Sequence, residues 1–121
     1  MTEWQNGKTM PEVVSVHQGG DDATLTLKVT ADLFQFRGHF PGTPVLPGVA
    51  QLDWAARFAE RQFGLAIEVS EIAQLKFRSV IMPPADVALE LKLDREKARV
   101  TFRFCQDDHI YSSGILKLAA V

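Results

Sequence analysis

The chain has 121 residues, 46% of them hydrophobic and 23% charged, with a formal net charge of -2 and one cysteine. This suits a single domain, residues 1–121, with enough apolar material for a core, and it excludes a disordered chain. The slightly negative balance excludes a global attraction to nucleic acid or an acidic membrane surface, and the lone Cys105 excludes an internal disulfide.

Residues 1–11 show no clear period and are expected to form a loose arm or a partly helical lead-in. Residues 1–10 are polar and lack a signal peptide's apolar segment, and no run approaches the roughly 20 apolar residues of a membrane span. A cytoplasmic setting without membrane insertion is therefore expected, and a single cysteine fits a reducing compartment. Residues 12–17 read as a short strand, closed by Gly19-Gly20 and Asp21-Asp22. Residues 24–30 alternate cleanly, with Leu25, Leu27 and Val29 on one face and Thr24, Thr26, Lys28 and Thr30 on the other. The glycines and acids between the two runs predict a hairpin.

The next stretch holds the run Gly38-His39-Phe40-Pro41-Gly42-Thr43-Pro44-Val45-Leu46-Pro47-Gly48-Val49. Pro47 suits a helix start, because its missing N–H costs nothing there. A helix is predicted from Pro47 or Gly48 to about Phe63, with Gly64 as the stop. Val49, Leu52, Trp54, Ala55, Ala56, Phe58, Ala59 and Phe63 cover most of its circumference, so it is expected to be a central, buried helix. Asp53, Arg57, Glu60 and Arg61 form a narrow polar stripe along it.

Everything after Gly64 reads as strand. Residues 67–81 form a long run with Ile67, Val69, Ala73, Leu75 and Phe77 assigned to one face, ended by Met82-Pro83-Pro84. Val87, Leu89, Leu91 and Leu93 alternate with polar neighbours, and so do Val100, Phe102 and Phe104. A last strand runs from Ile110 to about Ala119. Two strands, one helix and then a meander of about four strands make an α+β layer arrangement. Sheet edges and one helix end stay under-covered in so small a pair of layers. A dimer is expected, with edge strands pairing across a two-fold axis.

The chemistry sits around His39. A histidine in a loop shaped by glycine and proline precedes a helix start, and a carboxylate, Asp53, follows about one turn inside the helix. A base, free helix amides and an acid within fifteen residues suit acid–base chemistry on a carbonyl compound. His17 and His109 lack such flanks and read as solvent or turn residues. Phe34, Phe36 and Phe40 read as core or binding-channel wall, Trp54 as helix packing, and Cys105 as an inert strand residue. No Cys/His spacing for a metal is present.

The loop resembles the signature of the hot-dog-fold 3-hydroxyacyl-[acyl-carrier-protein] dehydratases, Gly-His-Phe-Pro-Gly-x-Pro-x-x-Pro-Gly-Val followed by an acid. Leu75-Lys76-Phe77-Arg78, running on to Met82-Pro83, is similar to the family's Lys-Phe-Arg strand and its exit, with Pro84-Ala85 before Asp86 where the family has glycine. Asp53 stands where the housekeeping branch usually carries Glu. The branch that also isomerises the new double bond carries Asp. The short chain with this hybrid pattern resembles the dehydratases of aryl-polyene pathways.

The resemblance implies a hot-dog fold, a curved antiparallel sheet wrapped around one long central helix, in a dimer. It implies reversible dehydration of a (3R)-3-hydroxyacyl thioester to the trans-2-enoyl thioester, in fatty acid or polyene-type biosynthesis. His39 would be the base that takes the C2 proton. The Gly48 amide would bind the thioester oxygen, with Val49, Phe40 and Pro47 against the substrate. Asp53 would act from the partner subunit. Arg57 and the helix N-terminus both stabilise a negative carboxylate, whereas an acid must carry its proton when it acts. Two roles therefore stay open for Asp53: proton donor, or a group that orients the hydroxyl through water.

The resemblance implies no metal or dissociable cofactor, and it implies a substrate carried on the phosphopantetheine arm of an acyl carrier protein. Arg37, Lys76 and Arg78 are candidates for the patch that meets this acidic partner. The partner chain could be a second copy, in a dimer or higher homo-oligomer, or another hot-dog protein. Two other functions compete. A hot-dog acyl-CoA thioesterase would activate water with a carboxylate and would not require the His39 loop. A non-catalytic dehydratase-like subunit would not require both His39 and Asp53.

Overall fold

Alternation governs the sheet. In a strand, successive side chains point to opposite faces, so Leu25, Leu27 and Val29 enter the core together while Thr24, Thr26 and Lys28 turn away. The computed structural model describes residues 9–36 and 44–119. These form strands β1 (Glu12–Gly19) and β2 (Asp22–Val29), a 3-10 turn (Phe34–Phe36) and helix α1 (Gly48–Phe63). Strands β3 (Val69–Phe77), β4 (Ala85–Asp94), β5 (Arg99–Gln106) and β6 (His109–Leu118) follow. The six strands make one antiparallel sheet in the order β1-β2-β4-β5-β6-β3.

The first hairpin and the meander β4-β5-β6 follow the predicted pattern, and the neighbour of β3 does not. A meander of four would put β3 beside β4, but β3 pairs with β6 at the far edge and β4 pairs with β2. Between β3 and β4 the chain has prolines and no tight hairpin turn. Arg78 and Ser79 donate their N–H groups to the Tyr111 carbonyl on β6, and the Ile81 carbonyl accepts from Leu46 N–H ahead of the helix. This segment crosses between layers, with Ile81 fully buried.

Strand β3 also differs in its faces. Register shifts lie between Val69 and Glu71 and between Ala73 and Lys76, and Gln74 takes φ +50°. One extra residue in a bulge reverses the alternation. Leu75 and Phe77 keep the helix side, where Phe77 faces the buried Ser112, while Ala73 moves to the opposite face beside Ile115.

Helix α1 ends as expected. Gly64 adopts the left-handed conformation at φ 65°, and its N–H bonds to the Glu60 carbonyl. Pro47 stands one step outside the helix as its N-cap. Gln51, Trp54, Ala55, Phe58, Ala59 and Phe63 face the sheet. The helix is not covered all round. Val49, assigned to the buried circumference, is 78% exposed, and Asp53, Arg57 and Arg61 continue that open stripe at four-residue spacing.

On the core face of the sheet, Phe102 of β5 pairs with Gly114 of the neighbouring β6. A Cβ at Gly114 would sit 2.8 Å from the Phe102 ring, which is fully buried. Gly114→Ala is therefore expected to destabilise the fold by about 1–3 kcal/mol through overpacking. A urea midpoint equal to that of the parent protein would contradict the contact. No helix among the described residues is long and apolar enough to cross a membrane.

Candidate functional site

The helix start is built by three elements that meet at Gly48. The first is the backbone ahead of it, pinned by the Leu46 N–H to the Ile81 carbonyl at 2.8 Å. The second is the first helical turn, where Ala50 and Gln51 both donate N–H to the Pro47 carbonyl at 3.1 and 3.2 Å. No side chain caps this end. The Gly48 and Val49 amides are therefore the open donors of this helix start, at the positive end of the helix dipole. The third element is β3. A Cβ at Gly48 would lie 2.6 Å from Phe77 Cζ, so glycine lets the aromatic ring pass directly over the helix start.

Of the residues singled out in the sequence, Pro47, Gly48 and Val49 come together here, with Pro47 and Gly48 half-exposed. Arg37, His39 and Phe40 lie outside the described residues. Asp53 is on the open helix stripe. Arg57 Nε donates to both of its carboxylate oxygens, at 3.1 and 3.0 Å, and the two side chains are about half exposed. Asp53 thus carries the i,i+4 partner that its spacing predicted, and it faces away from the core of its own chain.

An apolar surface flanks the helix start. Ile72, Leu75 and Phe77 of β3 and Val49 on the helix are exposed, with Phe77 over Gly48, whereas the exposed Val80 and Met82 line a separate groove with Lys28, Gln106 and Tyr111. Among the described residues β3 has a strand neighbour on one side only. Inside the chain, Trp54, Phe58, Phe102 and Phe104 fill the space between helix and sheet.

The opposite face of the sheet is polar. Cross-strand register lines up Thr24, Glu90, Arg103, Ser113 and Lys76 in one row. A groove of about 590 Å3 runs there, with Arg78, Lys92 and Arg103 along it. Glu90 accepts from Arg103 Nε at 2.8 Å, which holds the guanidinium's pKa above its ordinary value. Lys76 and Arg78 are exposed with no carboxylate at ion-pair distance among the described residues. Cys105 is buried on β5. Its pKa is raised first by burial and then by the neighbouring Glu90, so its thiol is kept from the reactive thiolate form. His17 and His109 are exposed strand residues, and His109 stacks edge-on against Tyr111 at 4.7 Å. Trp54 packs in the core and donates its indole N–H to the Thr9 carbonyl at 3.0 Å. No group of three or more His, Cys, Asp or Glu side chains able to hold a metal occurs among the described residues.

Two residues at the site were not singled out from sequence. Gln51 and Ser112 are both buried and share a hydrogen bond. The signal for Gln51 was present: it is a polar residue on the helix face that carries Trp54, Ala55 and Phe58. Ser112 gave none, since one serine of the Ser112-Ser113 pair in an alternating strand reads as surface.

Residues 15–115 match the model of a family described as ApeI-like, ApeI dehydratase. Two curated relatives are 3-hydroxyacyl-[acyl-carrier-protein] dehydratases FabZ. The one from Lactiplantibacillus plantarum is 29% identical over 72% of this chain and 64% of its own length. The one from Levilactobacillus brevis is 33% identical over 67% of this chain and 60% of its own length. The chain thus spans about three fifths of the curated relatives it matches. A chain in the solved dehydratase heterocomplex ApeI:P from Xenorhabdus doucetiae is 33% identical. It superposes with a TM-score of 0.86 over 91% of this chain and 98% of that one. The helix-on-sheet arrangement described above is the hot-dog fold of these dehydratases.

Proposed function

Because this chain belongs to the ApeI-like dehydratase family, we propose that it removes water from a (3R)-3-hydroxyacyl thioester carried on an acyl carrier protein, giving the trans-2-enoyl thioester. The observation that carries this reading is the pair of open amides at Gly48 and Val49, at the end of the His39 loop motif. Removing a proton from C2 builds negative charge on the thioester oxygen. Amides fixed in advance at a helix start stabilise that charge, and one such donor is worth about 3 kcal/mol of barrier.

In this reading His39 takes the C2 proton. The C2–H electron pair becomes the C2–C3 π bond, and the C3–O bond breaks. The hydroxyl leaves as water with a proton from Asp53, and solvent exchange returns both groups to their starting states. Val49, Phe40, Pro47 and the exposed Phe77 form one wall of the acyl channel. No metal or dissociable cofactor takes part. Arg37, Lys76 and Arg78 meet the acidic carrier protein. The pathway is of the polyene or fatty acid type.

Asp53 acts across a subunit boundary. Its carboxylate faces away from its own core, and the apolar surface beside β3 is suited to a second hot-dog subunit. That subunit is a copy of this chain or, as the ApeI:P neighbour's heterocomplex suggests, a different hot-dog protein. Asp53→Asn is expected to lower kcat about 100-fold, within the range for loss of one positioned acid. Full activity of that variant would remove Asp53 from the reaction. Mixing unfolded His39→Ala and Asp53→Asn proteins and refolding them together is expected to restore about a quarter of parental activity if the dimer is of like chains, since half the random pairs then carry one intact site of two. No recovery, from a parent that is active alone, would put His39 and Asp53 in one chain's site and contradict the cross-boundary role; a parent active only with a second hot-dog protein would point to the different-partner assembly.

A further inference from the structure

Gln51 and Ser112 are the buried polar side chains among the described residues, at 2% and 0% exposure. They form one continuous chain of hydrogen bonds. Ser112 Oγ donates to Gln51 Oε1 at 2.6 Å, and Gln51 Nε2 donates to the Leu46 carbonyl at 3.3 Å. The Leu46 peptide groups are thus held from two sides, because Leu46 N–H already donates to the Ile81 carbonyl. The next carbonyl, that of Pro47, belongs to the same peptide group as the Gly48 N–H. It accepts from two amides of the first turn. Ser112 itself lies directly across from Phe77, whose ring rests on Gly48.

An apolar pair of the same shape would hold the helix on the sheet about as well, since a buried hydrogen bond adds little net stability over well-packed carbon. What a hydrogen bond adds is direction. It sets the rotation of the first helical turn and the tilt of the peptide ahead of it.

We propose that Gln51 and Ser112 are positioning residues: they hold the Leu46–Gly48 backbone so that the Gly48 amide aims at the substrate oxygen. The proposal rests on the dehydratase reading of the helix start. Neither side chain touches the reacting atoms.

Ser112→Thr and Ser112→Val test it, because the two side chains have nearly the same shape and only threonine keeps the hydroxyl. Ser112→Val is expected to lower kcat about 10-fold with KM within about twofold, as misaimed groups do. Ser112→Thr is expected to keep the parental kcat. The Gly48 amide, followed by NMR hydrogen exchange without substrate, is expected to exchange faster in Ser112→Val and unchanged in Ser112→Thr. Gln51→Met carries the same expectations as Ser112→Val and replaces it if that variant does not fold. Equal kcat and equal Gly48 exchange in the valine and threonine proteins would overturn the proposal, since shape alone would then account for Ser112. Exchange that separates the two variants in a protein with no dehydratase activity would support the positioning and overturn the reaction.

Discussion

His39→Ala is expected to cost about 1,000-fold in kcat, the middle of the range for a positioned general base. Hydroxide is a poor leaving group and a C2 proton is weakly acidic, so both bonds need help at once. Histidine is the side chain that can take a proton near neutral pH and return it. The Gly38–Val49 run offers one histidine, and Gly48 ends the same run at the open helix amides. A loss confined to KM would mean that His39 only holds substrate. Activity within tenfold of the parent would move the base elsewhere, to neither His17 nor His109 as they stand, since His17 is exposed on β1 and His109 is exposed against Tyr111. Replacement by Gln, which keeps a polar side chain but cannot cycle a proton, is expected to be as inactive as Ala.

The second large effect is on stability. Trp54→Ala is expected to destabilise the fold by about 3–5 kcal/mol, the range for a large aromatic removed from a core. Trp54 is fully buried in the core, and its indole N–H donates to the Thr9 carbonyl of the N-terminal segment. A domain is stable by only about 5–15 kcal/mol, so this single change takes much of the margin. Trp54→Phe keeps most of the ring and gives up the hydrogen bond, and it is expected to cost about 1–2 kcal/mol. Urea unfolding of the three proteins measures both. A Trp54→Ala midpoint close to the parent's would show that the neighbouring core closes over the space.

Much of this was legible along the chain because local rules governed it. Leu25, Leu27 and Val29 alternate because their strand has one dry face, and that is readable without knowing the partner strand. Gly64 marks the helix end because a left-handed residue is needed there. The pairing of β3 with β6 was not readable, since nothing in residues 69–77 distinguishes one neighbouring strand from another. Nor was the bulge at Gln74, a positive φ carried by a residue that rarely adopts it. Val49 was assigned to the interior on hydropathy, but its helix face is open in the single chain, beside the apolar β3 side chains. At the site, the helix start and the Asp53–Arg57 pair were readable from spacing. The Gln51–Ser112 link was not, because it joins residues 61 positions apart across two elements.

The reaction itself is the central claim, and one measurement addresses it. The protein, with its hot-dog partner if it has one, is incubated with a 3-hydroxyacyl carrier-protein thioester while the enoyl product and free thiol are followed together. Formation of the enoyl thioester without thiol release, lost in His39→Ala, is the predicted result. Thiol release without enoyl product would contradict it and make the protein a thioesterase.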